Sequence, residues 1–108
     1  MLVFVYGTLM SGEYNNTLMS GSTMLGTYTT PPEYTMVDLG SFPGVVKGGT
    51  TAITGEVWEV EDLTILDSLE GHPDFYCREI IDTDFGQAWM YIWQGKIHTG
   101  YWRTRHVV

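Results

Sequence analysis

The chain has 108 residues, room for one compact core, and its 44% hydrophobic and 14% aromatic content excludes a disordered chain. Five Lys+Arg stand against thirteen Asp+Glu, a net charge of −8, so there is no basic footprint for nucleic acid and no attraction to an anionic membrane. Cys77 is the only cysteine, which excludes an intrachain disulfide. No apolar run approaches the ~20 residues of a bilayer span, and the opening lacks the charged-then-apolar pattern of a secretion signal. The expectation is a cytoplasmic protein with one domain over residues 1–108.

In chain order, Leu2 to Tyr6 is an apolar, β-branched run that predicts a buried strand, and Gly7 ends it in a tight turn. Without a Cβ, Gly7 lets another group approach the main chain, and successive N–H groups in such a turn can cradle an anion. The same corner also suits an empty strand-to-loop turn. Glu13 to Ser20 suits a short helix that Gly21-Ser22 ends. Thr23 to Thr30 reads as a strand stopped by Pro31-Pro32, and Tyr34 to Leu39 as another. Gly40 to Gly44 is a turn-rich loop. Val45 to Lys47, Gly48-Gly49 and Thr50 to Val60 read as a hairpin.

The period then changes. Leu63, Leu66 and Leu69 recur every three residues, predicting a helix from Asp62 to Glu70 with Asp62 as N-cap and Gly71 just beyond its end. Phe75 to Asp84 and Gln87 to Gln94 are paired strands joined by a turn at Phe85-Gly86, the second carrying Trp89-Met90-Tyr91-Ile92-Trp93. Lys96 to Val108 has no period, but it holds three of the five basic residues, Lys96, Arg103 and Arg105. The tally predicts an α+β fold: a small mixed β-barrel of about six or seven strands with one or two flanking helices.

Glu70 is the first candidate for chemistry. At a helix C-terminus the partial negative charge disfavours a carboxylate, and enclosure by aromatic walls would act the same way. Both raise its pKa toward the range of a general base working near neutrality. A solvent-exposed glutamate at a helix end is the plain alternative. Glu56 is a second strand carboxylate, with a sheet-face charge as its plain reading. Cys77 suits a core position better than a nucleophile. His72, His98 and His106 lack metal-ligand spacing, so no metal site is expected. Tyr6, Tyr76 and Tyr91 either line a pocket or fill the core.

Tyr6-Gly7-Thr8-Leu9, Gly12, Asn15, Phe42-Pro43, Gly55-Glu56-Val57-Trp58, Leu66-Asp67, Leu69-Glu70-Gly71, Pro73 and Tyr76-Cys77-Arg78 stand in an order that resembles the gamma-glutamylcyclotransferase-like family. The resemblance implies a small barrel with a pocket at one end. It implies that Tyr6, Gly7, Thr8 and Leu9 bind the substrate's glutamyl end, that Glu70 is the acid/base, and that Tyr76 and Tyr91 line the pocket. It implies a transferase of the acyltransferase type that releases an amine from a γ-glutamyl amide and closes 5-oxoproline, with no metal or organic cofactor. The partner is then a small-molecule substrate, with no nucleic acid and no membrane, for a monomer or weak homodimer. A non-catalytic binding module on the same fold, and an assembly protein using Tyr101 and Trp102 of the tail, are the alternatives.

Overall fold

The computed structural model describes residues 1–7, 10, 12, 19–38 and 43–95. The strands are β1 (Leu2–Val5), β2 (Thr23–Thr29), β3 (Tyr34–Asp38), β4 (Pro43–Lys47), β5 (Thr54–Glu59), β6 (Tyr76–Thr83) and β7 (Gly86–Trp93), with the helix α1 (Thr64–Glu70) between β5 and β6. The helix expected over residues 13–20 falls mainly outside the described residues, as do most of the 40–44 loop and the tail from residue 96.

Strand β1 is central in a five-stranded sheet of order β2-β5-β1-β7-β6, antiparallel to β5 and parallel to β7. Val3, Phe4 and Val5 are all fully buried, as expected for a strand covered on both faces. Gly55 on β5 permits this closeness: a Cβ there would stand 2.2 Å from the Val5 carbonyl oxygen and 2.9 Å from the Phe4 ring.

The α+β architecture and the seven strands among the described residues match the expectation, but the closed barrel does not. Strands β3 and β4 form their own two-stranded sheet, and β2 and β6 end the order of the larger one without pairing to each other. The curl is strong all the same. Phe85, in the turn between β6 and β7, sits over β2 so closely that a Cβ on Gly26 would lie 2.6 Å from its ring. A side chain on a glycine, rather than a hydrogen-bonded ladder, spans the gap.

The expected hairpin from Val45 to Val60 is also corrected. Strand β4 pairs with β3, while β5 pairs with β1 and β2. Gly48 and Gly49, at φ 89° and 119°, turn the chain out of the ladder, and Thr51 bridges back to Tyr34. The second strand is then free to carry buried Val57 and Trp58 into the main sheet. At the helix start, Leu63 rather than Asp62 holds the N-cap position, though the Asp62 carboxylate accepts the Thr64 N–H at 2.9 Å. The β6–β7 turn lies at Asp84-Phe85, with Thr83 paired to Gly86, and not at Phe85-Gly86.

A candidate active site at the helix end

The inward stripe of α1 begins at Leu63 and Leu66, and the next position at helical spacing is Glu70. Glu70 takes that core position with its side chain: it is 1% exposed, while Ile65 on the outer face is 62% exposed. The plain alternative of a solvent-exposed helix-end glutamate is therefore corrected. Burying a carboxylate is costly unless its surroundings compensate, so the position calls for an account. Gly71 stops the helix at once, at φ 63° and ψ 39°. The left-handed turn lets the His72 N–H reach the Asp67 carbonyl at 2.9 Å, and a Cβ on Gly71 would stand 2.3 Å from the Phe75 ring. Glu70 is thus the last residue before a sharp, packed corner.

Three buried phenols lie within reach of the Glu70 charge. Tyr76 is pushed well above the usual phenol range, first by burial and then by Glu70. Tyr91 is raised by burial first, then by its hydrogen bond to Asp67 and the charges of Asp67 and Glu70. Tyr6 is raised by burial, then by Tyr76 and Glu70. The Tyr6 hydroxyl donates to the Tyr91 carbonyl at 2.8 Å, which fastens the end of β1 to β7. Gly7 follows directly, and its carbonyl accepts the Met10 N–H at 3.1 Å. The fold therefore brings Glu70, Tyr6, Tyr76 and Tyr91 together, and Gly7 follows Tyr6 in the chain. Thr8 and Leu9 lie outside the described residues.

A second layer went unread in the sequence. The Asp67 carboxylate takes two hydrogen bonds from Arg78, Nε to Oδ1 at 2.8 Å and Nη2 to Oδ2 at 3.2 Å, and a third from the Tyr91 hydroxyl at 2.5 Å. Burial pushes the Asp67 carboxyl up, but the bonds from Arg78 and Tyr91 outweigh it and hold the group below the usual carboxylate range. The Arg78 guanidinium lies 4.4 Å from the Trp89 ring centroid. The signal was in the hairpin: a two-residue turn at Asp84-Phe85 pairs Arg78 with Tyr91.

The remaining candidates lie apart or are occupied otherwise. Glu56 is buried rather than a surface charge, and it accepts the Trp58 indole N–H at 3.1 Å. Cys77 alternates with Tyr76 and Arg78 along β6 and so faces the other side of the sheet. His72 accepts the Arg78 backbone N–H at Nδ1, 3.3 Å away. His98, His106, Tyr101 and Trp102 lie outside the described residues. Among the described residues no helix is long and apolar enough to cross a membrane.

Among the described residues, a mixed sheet with a helix that ends in a buried acid among phenols defines a class that comparison with known proteins identifies. Residues 3–104 match the family described as gamma-glutamyl cyclotransferase, AIG2-like. The chain belongs to that family. A Vibrio cholerae protein named "Putative gamma-glutamylcyclotransferase" is 50% identical over 95 residues, covering 86% of this chain and 82% of its own. The gamma-glutamylcyclotransferase family protein YtfP of Escherichia coli K12 is 35% identical, covering 90% and 86%. Among solved structures, an AIG2-like protein from Mus musculus shares the fold with a TM-score of 0.79 at 24% identity, over 99% of this chain and 84% of that one.

Proposed function

We propose that the protein is a γ-glutamyl cyclotransferase with Glu70 as its acid/base. The observation that carries the reading is the placement of the Glu70 carboxylate: buried at the helix end, with its charge felt by Tyr6, the residue just before the Gly7 turn. In this reading the main-chain N–H groups of Tyr6, Gly7, Thr8 and Leu9 hold the substrate's α-carboxylate. Tyr76 and Tyr91 wall the space around the glutamyl chain. Pinning one end of the substrate aims its α-amine at its own γ-carbonyl, so ring closure needs positioning rather than an encounter of two molecules.

The α-amine is mostly protonated near neutrality, since such groups titrate at about 7.7–8.0. A base must take a proton before the nitrogen can attack. A carboxylate shielded from water is a better proton acceptor than an exposed one. The nitrogen sheds a second proton to solvent as its bond to the γ-carbon forms, and Glu70 holds the first. Glu70 returns that proton to the departing nitrogen as the old amide bond breaks. The products are 5-oxoproline and a free amine, and no electrons are exchanged with any other group.

The test is incubation of the purified protein with a panel of γ-glutamyl amines and dipeptides, with 5-oxoproline followed by mass spectrometry. Turnover by the wild type and its loss in Glu70→Gln are expected. Retained turnover in that variant would remove Glu70 from the mechanism. Saturable thermal stabilisation by the panel without any product would favour the binding-module alternative instead.

A further inference from the structure

Asp67 and Arg78 have no part in the chemistry just described, yet they share a two-pronged ion pair that also takes the Tyr91 hydroxyl. Asp67 lies three residues before Glu70, one turn back along α1. Arg78 lies on β6, opposite Tyr91 on β7. The two-pronged contact of Arg78 fixes the plane of the Asp67 carboxylate, and the Trp89 ring backs the guanidinium from the side. The fixed carboxylate takes the only hydrogen the Tyr91 phenol can donate. The main-chain carbonyl of the same Tyr91 takes the Tyr6 hydroxyl. The main-chain N–H of Arg78 meanwhile holds His72, two residues past Glu70.

These bonds form one connected chain. It runs from Arg78 to Asp67 on the helix, from Asp67 to Tyr91 on β7, and from Tyr91 to Tyr6 at the end of β1. We propose that Asp67 and Arg78 are a positioning pair: by fixing Tyr91 they hold the strand end that carries the Gly7 turn at a set place relative to the helix end that carries Glu70. Neither residue touches substrate. Their effect passes through Tyr91 and through the last turn of α1. The inference rests on the cyclotransferase reading for its kinetic consequence, but the linkage itself is a property of the folded chain.

Two measurements test it on the full chain. The first needs no substrate. In wild type, the Tyr6 and Tyr91 hydroxyl protons should be protected from exchange with water and visible by NMR. In Asp67→Asn and Arg78→Gln the Tyr91 hydroxyl loses its charged acceptor or that acceptor's anchor. The Tyr6 hydroxyl proton should then shift or exchange faster as well, although its own hydrogen bond goes to the Tyr91 carbonyl. An unmoved Tyr6 proton overturns the linkage whether or not the protein is an enzyme.

The second measurement is kinetic. A misplacement on the order of 1 Å costs about 10²-fold in rate. Asp67→Asn should lower kcat by about that factor, with KM changing less. Arg78→Lys keeps the charge but not the fork and should recover part of the loss seen in Arg78→Gln. The double variant Asp67→Asn/Arg78→Gln should be no slower than the slower single one, as expected for two residues acting through one contact. Wild-type kcat per folded molecule in Asp67→Asn, with only a lowered Tm, would reduce the pair to a structural contact. If the wild type itself makes no 5-oxoproline, the cyclotransferase reading falls and the NMR result alone decides the linkage.

Discussion

Arg78 and Glu79 are neighbours on β6, and each closes an ion pair, but the two pairs lie on opposite faces of the sheet. Glu79 meets Lys47 at 2.9 Å with the side chains 40% and 64% exposed. Arg78 meets Asp67 at 2.8 Å with the side chains 24% and 23% exposed. The Glu79 pair borders a groove of about 390 Å³ that also holds Tyr28, Tyr34 and Thr30. By residue type the two regions are alike: tyrosines, carboxylates and one cation. They differ in how much water reaches them. Water screens the Lys47 pair and competes for its hydrogen bonds, whereas the Asp67 pair is largely shielded. The open groove is therefore the weaker candidate for chemistry, because shielding lets a charge act on its neighbours.

The widest gap between the two regions should appear when each loses one glutamate charge. Glu70→Gln should lower kcat/KM by about 10²–10⁴-fold, the usual contribution of general acid–base catalysis. Glu79→Gln should leave it at the wild-type value. Equal losses in the two variants, measured as 5-oxoproline release, would erase the distinction drawn between them.

Stability gives a smaller contrast. Arg78→Gln removes a charge-assisted fork and leaves the Asp67 carboxylate half-enclosed, so a loss of about 1–3 kcal/mol in urea unfolding is expected. Lys47→Gln should leave the unfolding midpoint at its wild-type value, since an exposed lysine pair is screened. The same contrast has a pH signature. The folded chain holds Asp67 below its ordinary carboxylate range. Its contribution is therefore present above about pH 4, where the unfolded carboxylate is ionised, and is lost as the pH falls through the lower folded value. Asp67→Asn should flatten that acid limb in urea midpoints taken at successive pH values.

How much of this was legible in the sequence follows the same division. The apolar run of β1, the helix period at Leu63 and Leu66, and the Gly71 stop are local signals, and the structure keeps all three. Glu70 stood out because it ends that helix, and its resemblance to a family acid added weight. That it is buried could not be read, because burial depends on which strand covers the helix end. The hairpin expected from Val45 to Val60 failed for the same reason. Gly48-Gly49 marks a turn, but long-range pairing with β1 and β2 decides where the second strand goes. The Asp67–Tyr91–Arg78 contact was missed through a turn placed one residue late. A turn at Phe85-Gly86 sets Arg78 opposite Trp93, while the observed turn sets it opposite Tyr91. A two-residue slip in register keeps every side chain on its face and still changes each partner.

The smallest contrast concerns the tyrosines at high pH. Tyr76 and Tyr91 are held far above the usual phenol range by burial and by nearby carboxylates, and Tyr34 beside the open groove is raised less, by burial and then by Glu33 and Glu79. Below about pH 10 all three are protonated in both the folded and the unfolded chain, so none of them makes stability depend on pH. Above that point the unfolded chain releases protons that the folded chain keeps. Folding then binds protons, and stability falls as the pH rises. Tyr76→Phe removes a phenol whose ionisation the fold disfavours and should flatten this alkaline limb. Tyr34→Phe should flatten it by a smaller amount, because water reaches the groove and eases ionisation there. Urea midpoints at steps above pH 10 measure both slopes. A steeper change in Tyr34→Phe than in Tyr76→Phe would mean that the groove, and not the helix end, is the drier of the two regions.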